Sequence, residues 1–241
     1  MKNTEAWRPS KFHVAAGVLV PSNDPAEVGP RSRLVATLQA RAYQKSIQQH
    51  AHGRLVDLGC GKVPLFGLYR HLVSEVTCVD WPNSLHPSAH IDIETDLNAE
   101  LPLASDRYDT IIATDVLEHL SDPFIFWREA YRILAPGGKI VLGVPFLYWL
   151  HEEPHDYFRY TKHRLRRFCE EVQLVVEEIV AYGGPLAVVM DILGKNTPWA
   201  AASLQRSFIW LLQSRLGRLM DERQRESFPI GYILVAAKAS I

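Results

Sequence analysis

The chain has 241 residues, 47% of them hydrophobic and 22% charged, and its formal net charge is −1. That length can bury a sizeable core in one domain, and the near-zero charge offers no electrostatic footprint for a polyanion, which argues against a nucleic-acid partner. The three cysteines, Cys60, Cys78 and Cys169, are far apart and lack metal-ligand spacing, and no apolar run reaches bilayer length, so a cytoplasmic protein without stable membrane insertion is expected.

Residues 1–30 are polar, and Pro9, Pro21, Pro25 and Pro30 deny them a long helix, so a loop or lid is expected, with Trp7 and Phe12 packing down over the site. From Arg31 to His50, the apolar positions Leu34, Leu38, Ala42, Tyr43 and Ile47 recur at helical spacing. Leu55 to Leu58 then reads as a short buried strand that runs into the glycine turn Gly59-Cys60-Gly61. After the turn, Leu65, Leu68, Tyr69 and Leu72 predict a helix. Without a Cβ, Gly59 and Gly61 let the backbone come close to a small ligand with its amides facing it. Asp57 adds a negative charge at the strand's end. Asp80 closes the next apolar run about 20 residues on, where a carboxylate can take both hydroxyls of a ribose. A dinucleotide fingerprint would need glycine at Pro64, and proline cannot donate an N–H to a pyrophosphate.

The pattern Asp57-Leu58-Gly59-Cys60-Gly61 followed by Val79-Asp80 resembles the class I S-adenosylmethionine-dependent methyltransferases. The resemblance extends over residues 50–182. It implies a doubly wound, Rossmann-like α/β sandwich with a seven-stranded, mostly parallel sheet and an antiparallel last strand. It also implies S-adenosylmethionine as cofactor, with Asp57, Gly59, Cys60 and Gly61 at its methionine end and Asp96 and Leu97 beside its adenine. Trp81, directly after the ribose acid, could stack on the adenine or belong to the core. A turn cap is the alternative role for Asp96.

Tyr108 to Thr114 has the apolar run of a central strand. Asp115-Val116-Leu117-Glu118-His119-Leu120 comes next, then a helix that Pro136-Gly137-Gly138 is expected to stop, then a strand from Lys139 to Val144. This run is similar to the segment after the fourth strand in many methyltransferases, and the likeness places Thr114 and Asp115 in the cofactor pocket. Glu118 and His119 share a helical turn that can be purely structural.

The stretch from Pro145 to Thr161 is rich in aromatics, histidines and charge and lies after a strand's carboxyl end, so it suits an acceptor site. Tyr148 and Tyr157 would wall it, Arg159 would hold an anionic or carbonyl-bearing substrate, and His155 as first choice, His151 as second, would take the acceptor's proton, with Asp115 in support. The alternative for Asp156, Arg159 and Thr161 is a salt bridge and an N-cap ahead of a helix over 162–171. Two more strands are expected, at Leu174 to Tyr182 and Ile230 to Lys238. The segment between them exceeds any hairpin loop and contains Leu186 to Leu193 and a longer amphipathic helix from Leu204 to Leu219 that packs on its own domain, makes a homodimer, lies on a membrane surface or acts as a lid. The expected organisation is a terminal segment at 1–30 and a methyltransferase domain at 31–241, with a helical insertion at 185–228.

The function so implied is methyl transfer to a small acceptor, at a hydroxyl of a sugar-containing or natural-product metabolite, in biosynthesis. A non-catalytic protein binding an S-adenosyl ligand and an NAD-dependent oxidoreductase are the rivals. No clustering of ligand types along the chain suggests a metal.

Overall fold

The computed structural model describes residues 1–197 and 201–240, so residues 198–200 of the expected insertion and Ile241 lie outside it. Its centre is a seven-stranded sheet of order β5-β4-β3-β6-β7-β9-β8. The strands are β3 (Arg54–Leu58), β4 (Glu75–Asp80), β5 (Ile93–Glu94), β6 (Tyr108–Thr114), β7 (Leu134–Pro145), β8 (Leu174–Tyr182) and β9 (Gly231–Lys238). β3 to β7 pair in parallel, and β9 runs antiparallel between β7 and β8, as the resemblance implies. Chain order reverses direction at β3, which has β4 on one side and β6 on the other. Ligands in such sheets bind outside the carboxyl ends of the strands at that point.

The central strands read as continuous apolar runs because both faces are covered. Val56, Leu58, Ile111, Ala113, Ile140 and Leu142 point into one core. Their alternates Leu55, Ile112 and Val141 point into the other. The first core packs against α3 (Pro123–Ile133) and α4 (Lys162–Glu171), through Phe126, Trp127, Leu165 and Phe168. The second packs against α1 (Arg33–His50) and α2 (Phe66–Tyr69), through Tyr43, Ile47 and Tyr69. Asp122 caps α3 with Pro123 in its first turn, and Thr161 caps α4 by accepting from the Arg164 amide.

Several elements differ from expectation. Residues 1–30 contain a hairpin, β1 (Phe12–Ala15) and β2 (Val18–Pro21), turning through Ala16 and Gly17 at φ of 49° and 78°. Two central residues of positive φ match the right-handed strand twist. The hairpin docks on α1, where Gln44 accepts from the Leu19 amide at 2.9 Å and donates to the Gly17 carbonyl at 2.8 Å. α2 is a single turn, and Leu72, expected on its buried face, is half-exposed. α3 ends at Ile133, three residues before Pro136, because a residue preceding proline is driven towards extended backbone and β7 has already begun.

The insertion forms α5 (Pro185–Asn196), over the stretch Leu186 to Leu193, and then α6 (Ala201–Gln213) and α7 (Arg215–Glu222), where the sequence suggests one long helix. The break is at Ser214, whose Oγ accepts from the Gly217 amide and starts a new helix. Leu212 remains in the core, whereas Leu216 and Leu219, beyond the break, are 64% and 60% exposed. The insertion is tied to its own domain by capping. Gln205 accepts from the Leu34 amide at 2.7 Å, and Asp221 accepts from the amides of Gly184 and Ala187 at 2.7 and 3.1 Å.

Candidate active site

The carboxyl ends of β3, β4, β6 and β7 bring Gly59, Asp80, Asp115 and Pro145 to one rim. Gly59 has φ of +71°, and a Cβ there would stand 2.4 Å from Val116 Cγ2, so only glycine fits the turn. The turn's amides are used internally. Those of Gly59 and Cys60 donate to the Val79 carbonyl at 2.8 and 3.2 Å, and that of Gly61 donates to Asp80 Oδ2 at 2.6 Å. The expectation that they face a ligand is corrected by these bonds, which strap β3 to β4 and leave the glycines as a close-approach surface. Asp80 Oδ1 takes the Trp81 amide at 2.7 Å, and burial pushes its pKa up.

Asp57 is buried, and burial lifts its pKa to about 7, although the Tyr69 hydroxyl donates to it at 2.8 Å and opposes the rise. With Gly59, Cys60, Gly61, Pro64, Leu65 and Thr114 it lines a cavity of about 180 Å³. The Cys60 thiol is pushed up by a hydrogen bond with Cys78 and by burial, which makes it a packing group rather than a nucleophile. Asp96 and Leu97 lie outside the cavity lining. Asp96 is exposed and accepts from the Asn98 amide at 2.8 Å, the turn-capping alternative, and Leu97 is in the core. Trp81 is 36% exposed and meets His155 edge-on, 5.4 Å between ring centres.

Asp115 sits at φ of +55°, a conformation that a non-glycine residue holds only when its surroundings enforce it. Four contacts do so: Tyr43 Oη donates at 2.9 Å, Gln39 Nε2 reaches both oxygens at 3.0 and 3.1 Å, and Lys11 Nζ lies 3.3 Å away. Gly143 makes the room, since a Cβ there would lie 2.5 Å from Tyr43 Cε1. Sequence reasoning missed Lys11, Gln39 and Tyr43. The one signal was the spacing of Gln39 and Tyr43, four apart on one helix face.

A second cavity of about 240 Å³ adjoins the first, lined on its own side by Gln39, His119, Tyr148, His151 and Tyr182. The two share Lys11, Glu27, His86, Asp115 and Glu152. Of the two candidate bases, His151 lines this cavity, and burial followed by His119 lowers its pKa, so it is neutral at pH 7. His155 is placed differently: it is exposed, outside both linings, with Nδ1 3.1 Å from the Tyr157 hydroxyl. Tyr157 is exposed beside it. Arg159 is also outside the linings. Its guanidinium grips Asp156, with Nη2 at 2.7 Å from Oδ2, and donates to the Trp149 carbonyl at 2.8 Å. Burial works against Asp156, yet the Arg159 bonds hold it at about 2. The pair braces the loop, which is the structural alternative for both residues.

The fold also brings together residues that the chain keeps apart. Glu118, His119 and His151 offer ligand atoms all within 4.8 Å of one another. The expectation of no metal-type cluster is thereby corrected, since His151 reaches the other two only across the folded rim. Glu118 is fully buried, its oxygens hydrogen-bond to nothing among the described residues, and burial, then Asp115, pushes its pKa well up.

Residues 56–142 match the model of the methyltransferase domain family. A ubiquinone biosynthesis O-methyltransferase of Xanthomonas euvesicatoria is 30% identical over 129 residues, 48% of this chain and 53% of that protein. The chain spans about half the length of the curated relatives it matches. Among solved structures, a SAM-dependent methyltransferase from Archaeoglobus fulgidus superposes with a TM-score of 0.55 at 14% identity, covering 86% of this chain and 97% of that one. The (4+2)-cyclase SpnF does so at 0.54 and 16%, covering 85% and 83%. These likenesses show the fold, which by itself hosts more than one chemistry. The sequence match covers the glycine turn and the β6 rim, so residues 56–142 are similar to a methyltransferase domain of the S-adenosylmethionine-dependent kind.

Proposed function

We propose that the chain transfers the methyl group of S-adenosylmethionine to a hydroxyl of a small acceptor, a sugar-containing or natural-product metabolite. The observation that carries this reading is the pair of adjoining cavities meeting at Asp115, one lined by the glycine turn and Asp57, the other by His119, His151 and Tyr148. In that arrangement the sulfonium lies on the first side and the acceptor oxygen on the second. The oxygen forms a bond to the methyl carbon as the S–CH₃ bond breaks, its proton passes to Asp115 or His151, and S-adenosylhomocysteine leaves. The name of the O-methyltransferase relative supports oxygen and a small acceptor. Residues 1–30 act as the lid, since Lys11, Glu27 and Val28 wall the acceptor side. The free, buried cysteines suit a cytoplasmic setting.

The test is calorimetric titration with S-adenosylhomocysteine and, separately, NAD, and then methyl transfer to a panel of hydroxylated acceptors. Binding of S-adenosylhomocysteine alone, with turnover, supports the reading. Binding without turnover on any acceptor supports a non-catalytic ligand-binding protein, and binding of NAD supports an oxidoreductase.

A further inference from the structure

We propose that Glu118, His119 and His151 form a binding site for one divalent transition-metal ion, zinc foremost, on the wall of the acceptor cavity. Each ligand atom is prepared for that role. His119 Nδ1 lies 2.8 Å from the His155 carbonyl, an acceptor, so Nδ1 carries the proton and Nε2 holds a free lone pair. His151 Nδ1 lies 3.3 Å from both Asp156 Oδ2 and the Trp149 carbonyl, which assigns its proton in the same way. The Arg159 guanidinium, 3.5 Å from that nitrogen, is already committed to Asp156 and the Trp149 carbonyl. Metal-binding histidines are typically oriented by just such acceptors on the other ring nitrogen.

Both Nε2 atoms then face one carboxylate oxygen. Glu118 Oε1 is 3.8 Å from His119 Nε2 and 3.9 Å from His151 Nε2. These separations are too long for hydrogen bonds, which is why Glu118 is left without a partner among the described residues. Ligand atoms at about 2.1 Å from a tetrahedral ion stand roughly 3.4 Å apart, so the two Glu118 pairs close by about 0.5 Å and the whole set, whose atoms lie within 4.8 Å of one another, contracts around the ion. A buried carboxylate without a partner costs several kcal/mol in general, and a cation held between it and two imidazole nitrogens offsets that cost. Two histidines and one glutamate leave a fourth position open, and His119 and His151 line the acceptor cavity into which it would face.

The consequence for catalysis rests on the methyl-transfer reading. With an ion held there, an acceptor hydroxyl at the open position would be made more acidic, its proton would pass to Asp115, and its oxygen would bond to the methyl carbon as the S–CH₃ bond breaks. His151, as a ligand, then orients rather than accepts the proton.

The experiment uses the full chain, freed of tags and stripped with a chelator, titrated with zinc by calorimetry and with cobalt by absorption. Expected are one equivalent per chain, a visible cobalt band without the intense near-ultraviolet bands of thiolate ligation, and at least tenfold weaker zinc binding in both Glu118→Gln and His119→Gln. If Glu118→Gln does not fold by circular dichroism, His119→Gln decides. Absence of stoichiometric binding, thiolate bands, or unchanged affinity in the folded variants overturns the site. S-adenosylhomocysteine titrations on the same samples separate the two readings. Nucleoside bound without metal defeats only the metal site, and metal bound without nucleoside defeats only the methyl-transfer reading.

Discussion

Asp57 offers a quantitative test of the cofactor pocket. Its carboxyl rises to about 7 from an ordinary 3.8, a difference worth about 4 kcal/mol at roughly 1.4 kcal/mol per pH unit. The sign is that of a buried acid. Below about pH 4 the group is protonated folded or unfolded and costs nothing; between about pH 4 and 7 the folded state binds more proton, so stability falls as pH rises; above about 7 the loss is complete. Asp57→Asn cannot ionise and keeps an acceptor for the Tyr69 hydroxyl. Relative to the parent it should gain up to ~4 kcal/mol between about pH 4 and pH 8, measured by urea unfolding at several pH values. The ammonium of S-adenosylhomocysteine should reverse the balance by favouring the carboxylate. Parent affinity should then rise roughly tenfold per pH unit up to about 7 and level off, with release of up to one proton on binding, read by calorimetry in buffers of different ionisation enthalpy. The variant should bind weakly at every pH. A pH-independent stability difference, or binding at pH 6 without proton release, would refute the reasoning.

Other substitutions test the rest of the rim. Gly59→Ala places a methyl 2.4 Å from Val116 at positive φ and should cost about 2–4 kcal/mol in denaturant unfolding and abolish nucleoside binding. Asp115→Ala strips the acceptor from the buried Tyr43 hydroxyl and from Gln39, and should lower stability by about 1–3 kcal/mol with a larger proportional loss of turnover. His151→Ala should reduce methyl transfer by about 100-fold or more while His155→Ala stays within a fewfold; equal losses would put His155 back in the chemistry. Arg159→Met removes the brace on Asp156 and the Trp149 carbonyl, and should loosen the 145–161 loop, seen as faster amide exchange there, with KM for the acceptor rising more than kcat falls.

Which residues meet at the rim depends on distances that no local pattern encodes. Asp115 was legible as a pocket residue, but the Lys11, Gln39 and Tyr43 donors that hold it come from the residue before the hairpin and from a helix face, separated from it by 72 or more residues. His155 and His151 are indistinguishable by composition. Only the turn of the loop sends one into the cavity and the other out beside Trp81. The hairpin at 12–21 had a signal, two short β-prone runs about Ala16-Gly17, which the surrounding prolines obscured.

The chain by itself determined the sheet and its ligand-bearing end. Apolar runs long enough to be covered on both faces, and a Gly-x-Gly turn directly after a buried strand, are local patterns that a sequence states directly. Tertiary structure alone decided the state of the polar groups: the turn amides satisfied by Val79 and Asp80, Arg159 committed to Asp156, and Glu118 buried beside two histidines with no hydrogen-bond partner among the described residues. The physical reason is that hydrogen-bond satisfaction and desolvation belong to the assembled surroundings of a group, and those surroundings come from segments far apart in the chain.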